Sequence, residues 1–245
     1  TPGRESQAYI ETTFLLGHIY LYTGNYNQAE NHYLETSALQ EKLRGKENAF
    51  YASILRCMGF VYAKQGKFET AKQYFQANVD IVEKVLGKNS IPYAAGIMSL
   101  SWPCMELGEL LRAESLLLES KVIFESMANY TEIPSYMSCM EYFGILYNKR
   151  GRYDEAEFYH LRSKALRETK LGKDHLSVEL SLSYLSDLYW KTGRTEQAAK
   201  CFTEGSEMRR KHLANAVRHF SEKELFSFVA LFEQALHKHL SFACD

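Results

Sequence analysis

Apolar and polar positions repeat along this chain with a period near 42 residues. A period carries a bulky–small–x–x–aromatic cluster: Leu16-Gly17-x-x-Tyr20, Met58-Gly59-x-x-Tyr62, Phe143-Gly144-x-x-Tyr147 and, with serine as the small residue, Leu185-Ser186-x-x-Tyr189. A polar stretch ending in alanine follows. It reads Gly24-Asn25-Tyr26-Asn27-Gln28-Ala29, then Gly66-Lys67-Phe68-Glu69-Thr70-Ala71, Gly108-Glu109-Leu110-Leu111-Arg112-Ala113, Gly151-Arg152-Tyr153-Asp154-Glu155-Ala156 and Gly193-Arg194-Thr195-Glu196-Gln197-Ala198. The intervals between these glycines are 42, 42, 43 and 42 residues. About one turn behind each alanine stands an aromatic or a leucine: Tyr33, Phe75, Leu117, Tyr159 and Phe202. A second frame, Gly45, Gly87, Asn129, Gly172 and Asn215, is spaced by 42, 42, 43 and 43.

Glycine and asparagine tolerate the left-handed conformation that closes a helix. Two stops per period therefore predict two helices per period. Gly or Ser on the first helix and Ala on the second let two backbones approach to about 8–10 Å, and the ring fills the space beside that contact. No single hairpin buries its apolar face alone, so the hairpins stack. The expected fold class is all-α: a right-handed superhelical solenoid of five helix-turn-helix units over residues 1–215, then a C-terminal helix over residues 216–245. The third period departs most, with Ser101 and Cys104 in place of the small–aromatic pair and Pro103 inside its first helix, where a kink is expected.

This pattern resembles the tetratricopeptide repeat, and within it the 42-residue, long-helix variety of kinesin light chains and many bacterial arrays. The phrases Val85-Leu86-Gly87-Lys88-Asn89-Ser90-Ile91-Pro92 and Lys170-Leu171-Gly172-Lys173-Asp174-His175 are similar to that variety's inter-repeat linker. The resemblance covers about residues 8–213. It implies a non-catalytic scaffold that binds a protein or peptide in its concave groove.

Composition agrees with a helical, well-cored chain. Of 245 residues 46% are hydrophobic and 24% charged, and there are only four prolines. The 29 basic and 30 acidic side chains nearly cancel, which gives no reason to expect nucleic acid as a partner. No apolar run approaches the ~20 residues of a membrane span, and no signal peptide is visible, so a cytoplasmic location is expected. The five cysteines, Cys57, Cys104, Cys139, Cys201 and Cys244, form no CxxC pair and read as reduced core residues. No phosphate-binding, metalloprotease, nucleophile-elbow or calcium-loop motif occurs, so no enzyme activity, cofactor or metal is expected. The eight histidines are scattered, and a helix break is expected between His212 and His219. Arg209-Arg210-Lys211-His212 reads as a cationic helix end complementing the dipole.

In stacked hairpins the first helices line the concave face. Projecting their inward side gives the candidate peptide-binding groove: Phe14, His18 and Tyr22; Arg56, Phe60 and Lys64; Trp102 and Glu106; Glu141, Asn148 and Lys149; Ser183, Asp187, Trp190 and Lys191. Rings supply contact area there, and Arg56, Lys64, Lys149 and Lys191 could hold carboxylates.

The last 30 residues leave the period. Ser221-Glu222-Lys223-Glu224 is a capping box, with Phe220 and Leu225 as its hydrophobic staple. In the helix it opens, Leu225, Phe228, Val229, Phe232, Leu236 and Leu240 form one stripe, expected to dock on the fifth repeat. Phe226, Leu231 and Phe242 fall outside it and are expected to meet a partner: a downstream domain, a second copy or another protein. The tail resembles the segment joining repeats to the caspase-like domain of bacterial TPR–CHAT proteins. That resemblance implies an alternative function, the sensor region of a caspase-like protease whose catalytic domain is not in this chain. A further alternative is a peptide-pheromone receptor of the Rap/PlcR type.

Overall fold

The computed structural model describes residues 6–219, with side chains described through residue 215. Among these residues there are ten α-helices, one 3-10 turn and no strand. The helices are α1 (Gln7–Tyr22), α2 (Tyr26–Arg44), α3 (Ala49–Lys64), α4 (Phe68–Leu86), α5 (Ile91–Glu106), α6 (Leu110–Glu125), α7 (Pro134–Lys149), α8 (Tyr153–Leu171), α9 (Leu176–Lys191) and α10 (Thr195–His219); the 3-10 turn Tyr130–Glu132 precedes α7. The all-α expectation holds. The chain divides into two compact units: residues 47–209 form one, and the described residues 6–46 and 210–219 belong to the other. The expected tail helix, with Phe226, Leu231 and Phe242, lies outside the described residues.

In the unit of residues 6–46, α1 and α2 form a hairpin. Ser6 and Asn25 cap the two helices, accepting from the Tyr9 and Gln28 amides. Gly24 makes the turn at φ 76°. A Cβ on Gly17 would lie 2.6 Å from the Tyr33 ring, so the glycine is what lets ring and backbone meet.

In the larger unit, α3–α4, α5–α6 and α7–α8 are hairpins, and each second helix packs on the first helix of the next: α4 on α5, α6 on α7, α8 on α9. The glycine–ring contact recurs at Gly59 and Phe75, where a Cβ would meet the ring at 2.7 Å. In the fourth period the ring over Gly144 is His160, at 2.5 Å from such a Cβ. Tyr159, expected there, is one residue out of register with Tyr33, Phe75 and Leu117; it lies half-buried, stacked on Phe143 at 4.7 Å.

A polar rung also recurs. Asn78 Nδ2 donates to the Ala52 carbonyl (2.8 Å), Ser120 Oγ to Ala94 (2.8 Å) and Ser163 Oγ to Met137 (3.0 Å). Each spans 26 residues and joins the two helices of one hairpin. These small polar side chains are buried because each has a helix carbonyl to bond.

The stops hold with two differences. Gly45, Gly87 and Gly172 end α2, α4 and α8 at positive φ. Asn129 is left-handed too, at φ 56°, but stands in the loop after the α6 cap Ser126. Asn215 is no stop: α10 continues to His219. The expected break between His212 and His219 is therefore absent, and Arg209–His212 lies inside a helix. Asparagine only permits the left-handed state; glycine favours it far more strongly. α5 runs as one helix through Pro103.

Candidate functional site

The candidate groove is built on the first helices. In the larger unit its best-formed part joins α3 to α5. The Arg56 guanidinium lies 5.7 Å over the Phe60 ring. Phe60 meets Trp102 at 6.2 Å, and the Lys64 ammonium sits 5.4 Å over that indole. Arg56, Phe60 and Trp102 are half-buried and Lys64 is exposed. The inner edge of Phe60 rests on Phe75 (5.0 Å, edge to face), so the core holds the ring in place while its outer edge stays open. Cation and ring attract through the ring quadrupole.

The same level continues across later repeats. Lys149 on α7 pairs with Glu106 on α5 at 2.9 Å, and Lys191 on α9 reaches Asn148 on α7 at 3.5 Å. Both contacts span 43 residues, one full repeat. Asp187 is half-buried and Trp190 exposed on α9. In the smaller unit, Phe14, His18 and Tyr22 form a run of rings along α1. Phe14 meets His18 at 4.6 Å, and His18 meets Tyr22 at 6.4 Å.

Glu141 departs from expectation. It is buried and pairs with buried Arg167 of α8. The same guanidinium nitrogen donates to Ser181 Oγ (2.8 Å) and the Ser177 carbonyl (3.0 Å) on α9. One arginine thus ties α7, α8 and α9 together, at a position where α4 carries Val82 and α6 carries Phe124. Burial pushes the Glu141 carboxyl up, against the downward pull of Arg167. Beside them His160 is fully buried and stacked on Tyr184 (5.3 Å, 7° between planes). Among the described residues neither of its ring nitrogens has a hydrogen-bond partner. Burial, with the nearby Arg167 charge, lowers its pKa from 6.5 to about 4, so the ring is neutral at pH 7.

The repeats are joined by a clamp that the sequence pattern alone did not single out. Glu114 accepts from the Tyr147 hydroxyl (3.1 Å) and from Arg150, and Arg152 lies 4.5 Å over the Tyr147 ring. One repeat later Glu157 accepts from Tyr189 (2.8 Å) and Arg194 (2.6 Å), with Arg194 4.5 Å over Tyr189. Between α4 and α5 the charges are reversed: Lys72 stands at the glutamate position and pairs with Glu109 at the arginine position, where Cys104 replaces the tyrosine. This pairing holds the Glu109 carboxyl below its usual range. The signal was in the sequence, as co-ordinated exchange of three positions one repeat apart.

Cys57, Cys104 and Cys139 are buried, and Cys201 half-buried. Burial pushes the Cys104 thiol up to about 11 and Cys139 up to about 12, so these thiols stay protonated near neutral pH. No group of three His, Cys, Asp or Glu able to hold a metal occurs among the described residues. No described helix is long and apolar enough to cross a membrane.

These hairpins, glycine contacts and inter-repeat clamps define an array of paired-helix repeats. Sequence models of the tetratricopeptide repeat match at residues 12–47, 52–91 and 136–211, together more than half of the chain. The chain belongs to the tetratricopeptide-repeat proteins. No curated protein matches it. Among solved structures it is similar to BtubC (BKLC) from P. vanneervenii, at 20% identity over 87% of this chain and 83% of that one, with TM-score 0.64. A kinesin light chain-type protein of Podosopora anserina, with nearly identical TPR-like repeats, is 19% identical over 86% of this chain and 99% of its own, with TM-score 0.61. The Rap conjugation gene regulator of plasmid pLS20, in complex with the Phr* peptide, is 14% identical over 96% of this chain and 66% of its own, with TM-score 0.72. These likenesses concern the fold. They do not extend to the caspase-linked resemblance of the tail.

Proposed function

We propose that this chain is a protein-binding scaffold that takes an extended or helical peptide segment along its first helices. The observation that carries this reading is the strip Arg56–Phe60–Trp102–Lys64, in which two adjoining half-buried rings from two repeats are flanked by two cations. Rings held by the core lose little freedom on binding, so their open edges are suited to an apolar anchor. The flanking cations favour a segment with carboxylates beside that anchor. The Rap regulator's complex with a peptide supports a peptide rather than a folded partner. It also favours the pheromone-receptor reading over the protease-sensor one.

Fluorescence anisotropy with a panel of labelled peptides, apolar-acidic against apolar-basic, tests the proposal. The acidic set binds, and Phe60→Ala with Trp102→Ala removes at least tenfold of the affinity, at about 2 kcal/mol per buried aromatic anchor. Binding that the double variant leaves intact, with unchanged helicity, refutes the groove.

A further inference from the structure

The second helices carry an exposed apolar patch that plays no part in the groove. On α6, Leu111, Leu118 and Val122 are 74%, 47% and 66% exposed. With Ser115 they follow the i, i+4, i+7, i+11 spacing of one helix face. On α8, Phe158 and Leu161 are 62% and 44% exposed. They occupy the same repeat positions as Ser115 and Leu118, 43 residues later. The Glu114–Arg152 bridge, 3.6 Å, holds the starts of the two helices side by side. The five side chains expose on the order of 500 Å², near the upper end for the largest apolar patch of a monomer.

The charges around the patch are arranged symmetrically. Arg112 and Glu119 lie seven residues apart on α6, and Asp154 and Arg162 eight apart on α8; all four are exposed. Arg162 and Asp154 have no ion-pair partner among the described residues. Among the described residues Glu119 accepts only a 3.2 Å bond from Tyr93, and Arg112 makes a marginal 3.4 Å contact with Glu109. The midpoint of Arg112 and Glu119 falls at Ser115–Leu116, that of Asp154 and Arg162 at Phe158, and that of Leu111 and Leu118 at Glu114–Ser115. Positions 115 and 158 stand at one level of adjacent repeats.

We propose that this face is a two-fold interface with a second copy of the chain. The axis crosses α6 near Ser115 and α8 near Phe158, so each helix lies antiparallel on its own copy. Leu111 then meets the partner subunit's Leu118, Arg112 meets the partner subunit's Glu119, and Arg162 meets the partner subunit's Asp154. Each contact occurs twice, as an isologous interface requires. Ser115, small and central on α6, allows the two helices to approach. The apolar area together with its charged rim comes close to the roughly 800 Å² that each partner of a stable interface buries. A different protein as occupant would have no need of charges that mirror about the patch centre.

Sedimentation equilibrium of the full chain over a concentration series tests this. The wild type is expected to be a dimer at micromolar concentration. Phe158→Asp yields monomer with an unchanged helical spectrum. Arg162→Asp sets two carboxylates against each other at both ends and weakens the dimer roughly tenfold or more. Adding Asp154→Arg to Arg162→Asp restores opposite charges across the axis and recovers the dimer. That recovery is specific to the antiparallel self-pairing, and it decides the matter even if Phe158→Asp fails to fold. A wild type that stays monomeric, a dimer that Arg162→Asp leaves unchanged, or a double exchange without recovery overturns the proposal.

Discussion

His160 is expected to make the fourth repeat sensitive to acid. In the fold its ring is buried over Gly144, both nitrogens lack partners among the described residues, and the Arg167 charge lies close by. All three features oppose protonation. The pKa therefore drops from 6.5 in the unfolded chain to about 4 in the fold. A depressed base contributes stability that is intact above pH 6.5 and is lost as pH falls towards 4, because the unfolded chain then binds a proton that the fold refuses. Each tenfold difference in proton affinity between the two states is worth about 1.4 kcal/mol, so the loss is about 2–3 kcal/mol by pH 4.5 and about 3 kcal/mol at pH 4. His160→Phe installs the ring that the second repeat already uses at Phe75 and removes two buried, unpaired nitrogens. The variant should be at least as stable as wild type at pH 7, by up to about 1–3 kcal/mol if the nitrogens are as costly as unpaired buried groups usually are. Urea denaturation of both proteins by circular dichroism, from pH 7.5 to 4.5, should show their stability difference widening by about 2–3 kcal/mol. Hydrogen exchange should place the acid-sensitive opening in α7 and α8, since repeat arrays open segment by segment. The raised Glu141 carboxyl titrates in the opposite sense but is common to both proteins and cancels in the difference. Parallel pH profiles for wild type and variant would refute the argument.

Further outcomes follow from the same contacts. Gly59→Ala forces a methyl within 2.7 Å of the buried Phe75 ring, so the α3–α4 hairpin must spread; a loss of about 1–3 kcal/mol is expected by denaturation, whereas Gly66→Ala tests only the turn, where nothing lies within 4 Å. Arg167→Met leaves Glu141 buried without its counter-charge and should cost about 3–5 kcal/mol. Adding Glu141→Leu should recover most of that loss, because a fully apolar pair has no charge to bury.

The sequence by itself determined the repeat. Gly24, Gly66, Gly108, Gly151 and Gly193 punctuate it, and the glycine–ring pairs Gly17–Tyr33 and Gly59–Phe75 were legible because both partners recur at fixed spacing. Such local signals survive reading because turn geometry and close helix approach admit few residue types. The groove was legible as a row of positions on the first helices, but not as a surface. Phe60 and Trp102 combine core packing with exposure, and only their neighbours decide in what proportion. Glu141 read as a groove charge because Arg167, 26 residues away on the next helix, is needed to bury it. His160 is not legible in the sequence because a histidine at a ring position gives no sign of its protonation until its surroundings are assembled. Asn215 failed as a stop because asparagine, unlike glycine, only permits the left-handed state, and the chain around it continues helical. Turns and glycine contacts are decided within one hairpin, by sterics the sequence states outright. Burial, charge pairing and titration are decided by which side chains a neighbouring repeat brings within a few ångströms, and that requires the tertiary structure.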